Sequence, residues 1–231
     1  MDKFTLIGEG GNWRIYRTPL SNSPSIIRIP KMKVGNIQSY ITNHEMVRSV
    51  GMNTLIKVEQ VITEKYSGIQ SEDLNFQKDR IYVTPNSLYT DSHIEKHQLV
   101  RELLNSPNIT PSSPEAELFR YKNKIHKILN FNSFTTDIIK QLKHAANKKI
   151  LIEFDSYFFG TERNQTETKI DYIIADLDNI YHLGKHSVNS IHKLNLSHFF
   201  NSLNLFIKYF VVTSSQLEYH EYIRLMQPSK S

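Results

Sequence analysis

Three glycines near the start of the chain are the residues best suited to hold a phosphate. Gly8, Gly10 and Gly11 lie between an apolar run that ends at Ile7 and an alternating run that begins at Trp13, which is the pattern of two strands joined by a tight turn. Glycines at such a turn let backbone N–H groups approach phosphate oxygens, because no Cβ stands in the way. A plain hairpin whose glycines serve only the turn is the alternative interpretation of these residues.

Two carboxylates form the second group that could do chemistry. Asp176 and Asp178 follow the β-branched pair Ile173–Ile174, and residues two apart in an extended chain point to the same side. A strand end that carries two carboxylates suits Mg²⁺ that bridges nucleotide phosphates. We therefore predict that Asp176 and Asp178 bind a metal ion.

A fixed cation is expected beside the same phosphates. A third short strand, Ile26 to Ile29, would carry Arg28 inward, and Lys31 is the second candidate. The helix predicted from Ile37 to Val50 contains Glu45, which could approach Arg28 if the three strands pack on the helix. A solvated glutamate is the alternative for Glu45.

The elements that must position these residues follow from hydrophobic periodicity. The pattern predicts further strands at residues 55–63, 65–69, 80–84, 150–159 and 169–177, and helices at 93–104, 114–129, 133–146 and 197–212. The predicted fold class is α+β, with two lobes. Residues 1–88 would form an antiparallel-sheet small lobe with one helix, and residues 89–231 a mainly helical, truncated large lobe that contains the hairpin 150–178.

Composition excludes several classes of function. The chain has 231 residues and no cysteine, which rules out disulfides, thiolate zinc sites and cysteine nucleophiles. No segment approaches the ~20 apolar residues of a membrane span, and the N-terminus lacks the apolar core of a signal peptide. We expect a cytoplasmic protein, or a secreted effector that is delivered without a cleaved signal peptide.

Charge and histidine spacing limit the partners. The net charge of +5 permits an anionic ligand, but the basic residues are scattered along the chain, which disfavours nucleic acid as a partner. The spacing of His182, His186 and His192 does not place three ligands on one helix face, which disfavours zinc. No Walker lysine or common hydrolase motif occurs in the sequence.

These motifs together resemble the protein-kinase-like superfamily, especially its compact atypical branch. Gly8, Gly10 and Ile15 match positions of the glycine-loop pattern, and Ala175–Asp178 (Ala-Asp-Leu-Asp) stands where the family has its metal-binding Asp-Phe-Gly. The opening Ile-Gly-x-Gly-Gly and the short C-terminal part are similar to YrbL-like proteins. The run Arg28–Lys31 (Arg-Ile-Pro-Lys) is similar to the basic strand of inositol-pentakisphosphate kinases.

The resemblance implies a role for each candidate residue. The three glycines would cover the phosphates of ATP, Arg28 or Lys31 would pair with those phosphates, and Glu45 would orient the cation. Asp176, together with Asp178, would hold Mg²⁺. The acceptor of the phosphoryl group would be a protein or a small polar or anionic molecule.

The segment Glu153–Gly160 can be aligned with the family's catalytic loop, His-Arg-Asp-x-x-x-x-Asn. Asp155 then matches the residue that orients the acceptor hydroxyl, but glycine stands at position 160 in place of the metal-binding asparagine. A shifted alignment makes Asn164 the metal ligand and loses the aspartate. These departures leave two hypotheses, an active phosphotransferase and a pseudokinase that serves as a binding or regulatory module; a basic nucleic-acid-binding protein is the third.

Overall fold

The computed structural model describes residues 4–9, 12–18, 25–31, 37–74, 79–84 and 122–227 of the chain. The strands in these ranges are β1 (Thr5–Glu9), β2 (Trp13–Arg17), β3 (Ser25–Pro30), β4 (Val58–Ile62), β5 (Ser67–Glu72), β6 (Arg80–Val83), β7 (Lys127–Ile128), β8 (Ile150–Ile152), β9 (Tyr157–Glu162), β10 (Glu167–Thr168), β11 (Asp171–Ile174) and β12 (Ile180–His182). The helices are α1 (Ile37–Ser49), α2 (Phe131–Asn147), α3 (Val188–Phe210) and α4 (Thr213–Met226).

The small lobe consists of an antiparallel sheet, in the order β1-β2-β3-β5-β4, and helix α1. Strand β2 pairs with β3 so that Ile15 lies opposite Arg28. Helix α1 turns Tyr40 and Val47 inward, and both side chains are buried in the core. The predicted α+β class is confirmed, and this sheet-plus-helix unit is followed along the chain by a second unit that contains helices α2, α3 and α4.

The strand predicted at residues 80–84 forms, but it does not join the small-lobe sheet. It is β6, and it pairs with β9 in the three-stranded sheet β11-β9-β6. The predicted boundary between residues 88 and 89 and the helix predicted at 93–104 lie outside the described residues.

Gly160 in β9 is required for this sheet to pack. A Cβ added at Gly160 would lie 1.9 Å from Asp171 Oδ1 and 2.6 Å from Tyr82 Cε1. We therefore expect Gly160→Ala to lower the free energy of unfolding by about 1–3 kcal/mol, as overpacking does elsewhere. Urea denaturation would measure this loss. Gly184→Ala is the matched control, because its added Cβ would come no closer than 3.5 Å to His182 Cε1; equal stabilities of the two variants would contradict the packing argument.

The large-lobe hairpin is interrupted by two short 3-10 turns. The strand predicted at 150–159 divides into β8 and β9 around the turn Phe154–Ser156, and the strand predicted at 169–177 ends at Ile174, before the turn Leu177–Asn179. Strand β12 follows the second turn and pairs antiparallel with β8, with Ile180 opposite Ile152. This pairing brings the two turns together.

Aromatic side chains form the core of the large lobe. Phe199 and Phe206 of α3 are fully buried and contact Phe159 of β9. The ring centroid of Phe159 lies 6.3 Å from that of Phe199 and 5.1 Å from that of Phe206. Full burial of such a side chain contributes roughly 1.5–3 kcal/mol. Helix α3 begins at Val188, nine residues before the predicted start, because the Ser187 hydroxyl caps its first turn by accepting the Ser190 N–H.

The helix predicted at residues 114–129 is wrong over its described part. From residue 122 the chain forms a turn and the short strand β7, which pairs in parallel with β10. The backbone N–H groups of Ile125 and His126 donate to Phe210 and Thr166 instead of to a preceding turn of helix. Helix α4 was not predicted. No helix in the described part of the chain has the length and apolar composition needed to cross a membrane.

Candidate functional site

Three carboxylates lie on the two 3-10 turns that follow β8 and β11. Asp155 lies within the first turn, Asp176 caps the second, and Asp178 lies within the second. Asp176 Oδ1 accepts the backbone N–H of Asp178 at 3.4 Å. The prediction that Asp176 and Asp178 lie in an extended segment is therefore wrong, because the chain turns between them. This turn, together with the pairing of β8 with β12, brings the three carboxylates close to one another.

The pKa values show how closely these groups interact. Burial, and then the negative charges of Asp178 and Asp155, raise the pKa of Asp176 from 3.8 to about 6. Burial also raises the pKa of Asp155. Asp155 Oδ1 is buried and has no hydrogen-bond partner among the described residues. An unneutralised carboxylate cluster of this kind is favourable to the binding of a cation.

The cluster is suited to Mg²⁺ only when the metal has further ligands. In the described ranges, no group of three or more histidine or acidic side chains is arranged to hold a metal ion by itself. Mg²⁺ in phosphate-transfer sites is usually bound by one or two carboxylates together with water and substrate phosphates. The oxygen ligands of Asp176 and Asp178 fit that type of site, in which the remaining ligands come from the nucleotide.

The residues after the glycine turn contact this cluster directly. Trp13 Nε1 donates to Asp178 Oδ2 at 2.5 Å, and Asn12 Nδ2 donates to the same oxygen at 3.4 Å. Gly8 lies in β1 opposite Ile15, whereas residues 10 and 11 are outside the described ranges. The Trp13 bond therefore joins β2 to the segment that follows β11.

Arg28 is the candidate cation that faces the cluster. It is buried, its Nη1 donates to Ser71 Oγ at 2.6 Å, and its Cζ lies 5.6 Å from the centre of the Tyr40 ring. Its positive charge partly offsets the rise in the pKa of Asp176. Lys31 is exposed just beyond β3, where its backbone N–H donates to Asn12 O. The geometry thus favours Arg28 over Lys31 as the inward-facing cation.

The predicted pairing of Glu45 with Arg28 is wrong. Residues 40, 43 and 47 share the buried face of α1, and a helix turns by about 100° per residue, so Glu45 is directed away from this face and is exposed. Tyr40 and Asn43 contact the segment that carries Asp176 instead. The Tyr40 hydroxyl donates to Ala175 O at 2.7 Å, and Asn43 Nδ2 donates to Leu177 O at 2.6 Å.

The sequence could have pointed to Tyr40 and Asn43, but it could not give their partners. The two residues are three apart on α1 and share a face with Val47, so their burial is expected from helical spacing. Their acceptors lie more than 130 residues further along the chain. Helix α1 therefore holds the backbone on both sides of Asp176 without an ion pair.

The two positions that the alignments gave for the catalytic-loop asparagine, 160 and 164, lie away from the carboxylate cluster. Gly160 is within β9 and packs against Asp171, and Asn164 lies in the turn after β9 with φ of 61°. Asn179 was missed by the sequence analysis, although it directly follows Asp178. Its Nδ2 donates to Asp155 Oδ2 at 2.8 Å.

The comparisons with known proteins give distant structural similarities. No family model matches the chain, and no curated protein matches it. Among solved structures, the chain is similar to WaaP in complex with acyl carrier protein, with a TM-score of 0.42 and 11% identity over 98% of this chain and 79% of that chain. It is also similar to the proinflammatory kinase CtkA of Helicobacter pylori, with a TM-score of 0.42 and 15% identity over 89% of this chain and 66% of that chain.

Proposed function

We propose that this protein is an atypical kinase-like phosphotransferase that binds Mg²⁺-ATP and transfers the γ-phosphoryl group to a protein or small polar acceptor. The observation that carries the proposal is the contact of Trp13, just after the glycine turn, with Asp178 in the carboxylate cluster. Phosphoryl transfer depends mainly on positioning and charge neutralisation, and this contact joins a phosphate-binding element to a metal-binding one. Membership of a compact atypical branch with YrbL-like and inositol-pentakisphosphate-kinase-like features is part of the same proposal.

Different residues would bind the metal ion and the phosphates of Mg²⁺-ATP. Asp176 and Asp178 would hold Mg²⁺, which neutralises the charge of the phosphates when it is bound. The guanidinium of Arg28 is held in place by Ser71 and Tyr40, so it can pair with a phosphate with little loss of side-chain entropy. The backbone of Gly8 to Gly11 would cover the phosphates.

Asp155 is the residue proposed to orient the acceptor. One of its oxygens is held by Asn179, and the other is buried without a hydrogen-bond partner among the described residues. A carboxylate oxygen has two lone pairs, so Oδ2 can accept the hydrogen bond of a hydroxyl beside that of Asn179 and orient the hydroxyl towards the phosphorus atom.

The proposal is tested by γ-phosphoryl transfer from radiolabelled ATP in the presence of Mg²⁺, with autophosphorylation and hydrolysis as the first readouts. We expect Asp155→Asn to lower the rate about 10²–10⁴-fold, as loss of a positioned acid–base group does, while Mg²⁺-ATP still raises the melting temperature. Glu218→Gln changes an exposed acid on α4 and should keep the full rate. An undiminished rate in Asp155→Asn rejects the proposed role.

A pseudokinase is the second candidate, and two observations favour it. Trp13 occupies the position of the third loop glycine and already donates to Asp178, so a metal ion must compete with the indole for that carboxylate. The segment between β8 and β9, which contains the residue aligned with the catalytic aspartate, is also short and comprises only residues 153–156. Stabilisation by Mg²⁺-ATP, which follows from binding to the folded state alone, without any phosphoryl product after long incubation would identify this function.

A further inference from the structure

Asn179 is attached to the Asp155 turn through both its side chain and its backbone. Asn179 Nδ2 donates to Asp155 Oδ2 at 2.8 Å, and Asn179 O accepts the backbone N–H of Glu153 at 3.1 Å. The hydroxyl of Tyr181 donates to Asn179 Oδ1 at 3.3 Å. The amide of Asn179 is therefore held in one orientation, with its donor directed at Asp155.

The segment that follows Asp155 has no residue that could place a side-chain amide beside the Asp155 carboxylate. Only Ser156 separates Asp155 from the start of β9. A side chain at position 160 would enter the packed contact with Asp171 and Tyr82. Position 164 lies seven residues beyond Tyr157, the first residue of β9, and this length corresponds to roughly 20 Å of extended chain.

The pairing of β12 with β8 brings Asn179 in from the other side. Ile180 lies opposite Ile152, so the residue before β12 lies beside the residues that follow β8. Asn179 and Asp155 are therefore neighbours because the backbones of two strands pair, and their proximity does not depend on the side chains in the cluster. Asn179 and Asp155 are 24 residues apart in sequence.

We infer that Asn179 is a positioning residue that orients the Asp155 carboxylate. This inference rests on the proposed phosphotransferase function. By donating to Oδ2, Asn179 stops rotation of the carboxylate and fixes the direction in which Asp155 can accept the hydrogen bond of the acceptor hydroxyl. Since the amide does not touch the nucleotide in this scheme, its loss should affect the rate of transfer and leave ATP binding intact.

The test compares kcat and KM for ATP in the natural protein and in three variants. Asn179→Leu keeps nearly the same volume but has no donor, Asn179→Ala removes the side chain, and Asn179→Ser keeps a shorter donor. We expect Asn179→Leu and Asn179→Ala to lower kcat about a hundredfold, the scale of a misplaced reacting group, with KM for ATP unchanged. Asn179→Ser should recover part of the lost rate. Asn147→Leu, the same change at the exposed end of α2, should have no effect.

The outcomes separate this inference from the proposed function. An active natural protein whose kcat is unchanged in Asn179→Leu overturns the role of Asn179 and leaves the phosphotransferase proposal standing. An equal rise in KM and fall in kcat also overturns it, because that result indicates general loosening of the site. A natural protein with no phosphoryl transfer overturns the phosphotransferase proposal and this role with it. Thermal unfolding of each variant, measured first, sets an assay temperature at which all of them are folded.

Discussion

Asp176→Asn is expected to make the protein more stable while it abolishes the response to Mg²⁺-ATP. In the folded protein the pKa of Asp176 is raised from 3.8 to about 6 by burial and by the charges of Asp178 and Asp155. At pH 7 the carboxylate is ionised in both the folded and the unfolded state, so its charge destabilises the folded state. A neutral amide removes this penalty, and the free energy of unfolding should rise by about 1–3 kcal/mol at pH 7.

The raised pKa of Asp176 also determines how the stability gain of Asp176→Asn changes with pH. Because the pKa is higher in the folded state, the folded protein binds more protons between pH 3.8 and about 6, and the contribution of Asp176 to stability falls as the pH rises through that window. The stability gain of Asp176→Asn should therefore be largest above pH 6 and should vanish near pH 4. Urea denaturation of both proteins at pH 4, 5 and 7 would measure it. A gain that grows as the pH falls would contradict the assignment.

The same variant should lose the thermal stabilisation by Mg²⁺-ATP, together with at least a hundredfold in the rate of transfer, because metal-ion charge stabilisation is worth several kcal/mol. Asp137→Asn removes an exposed aspartate that pairs with Lys140 at 3.5 Å on α2, and it should change neither property. If Asp176→Asn still responds to Mg²⁺-ATP as the natural protein does, Asp176 is not a metal ligand. The combination of higher stability and lost function is typical of a site built from mutually repelling charges.

Tyr40 is expected to give the second largest effect, since it links three parts of the site. It is 1% exposed, its hydroxyl donates to Ala175 O, and its ring lies against Trp13 and beside Arg28. Tyr40→Ala should cost about 3–5 kcal/mol, as truncation of a buried aromatic side chain does. Tyr40→Phe keeps the ring and leaves the Ala175 carbonyl without its donor, which should cost about 1–3 kcal/mol.

The two Tyr40 variants can be separated by stability and binding measurements. Urea denaturation should show the larger loss for Tyr40→Ala, and Mg²⁺-ATP titration should show weaker binding by Tyr40→Phe, because Ala175 directly precedes Asp176. Tyr66→Phe, the same change in the connection between β4 and β5, is the control. Weaker binding by Tyr66→Phe to the same extent would show that the effect does not pass through the segment that carries Asp176.

The elements that the sequence predicted well are those whose signal is local. The alternation around Trp13 and Ile15 predicted β2, and helical spacing from Ile37 predicted α1 to within a residue of its observed end at Ser49. Such patterns report which side of an element is buried, and burial periodicity is set within a few residues of chain. The α+β class and the acidic segment after β11 follow from the same kind of information.

The tertiary structure alone decided which polar groups meet. Arg28 bonds to Ser71 and stacks on Tyr40 instead of pairing with Glu45, Trp13 reaches Asp178 across 165 positions of sequence, and Asn179 reaches Asp155. Each of these contacts depends on strand register and on the rotation of α1 against the sheet. Both are fixed by packing over the whole core, and no local pattern encodes them. The sequence by itself therefore determined the candidate carboxylates and the glycine-rich segment proposed to bind phosphate, and the packed fold determined which polar groups the carboxylates contact.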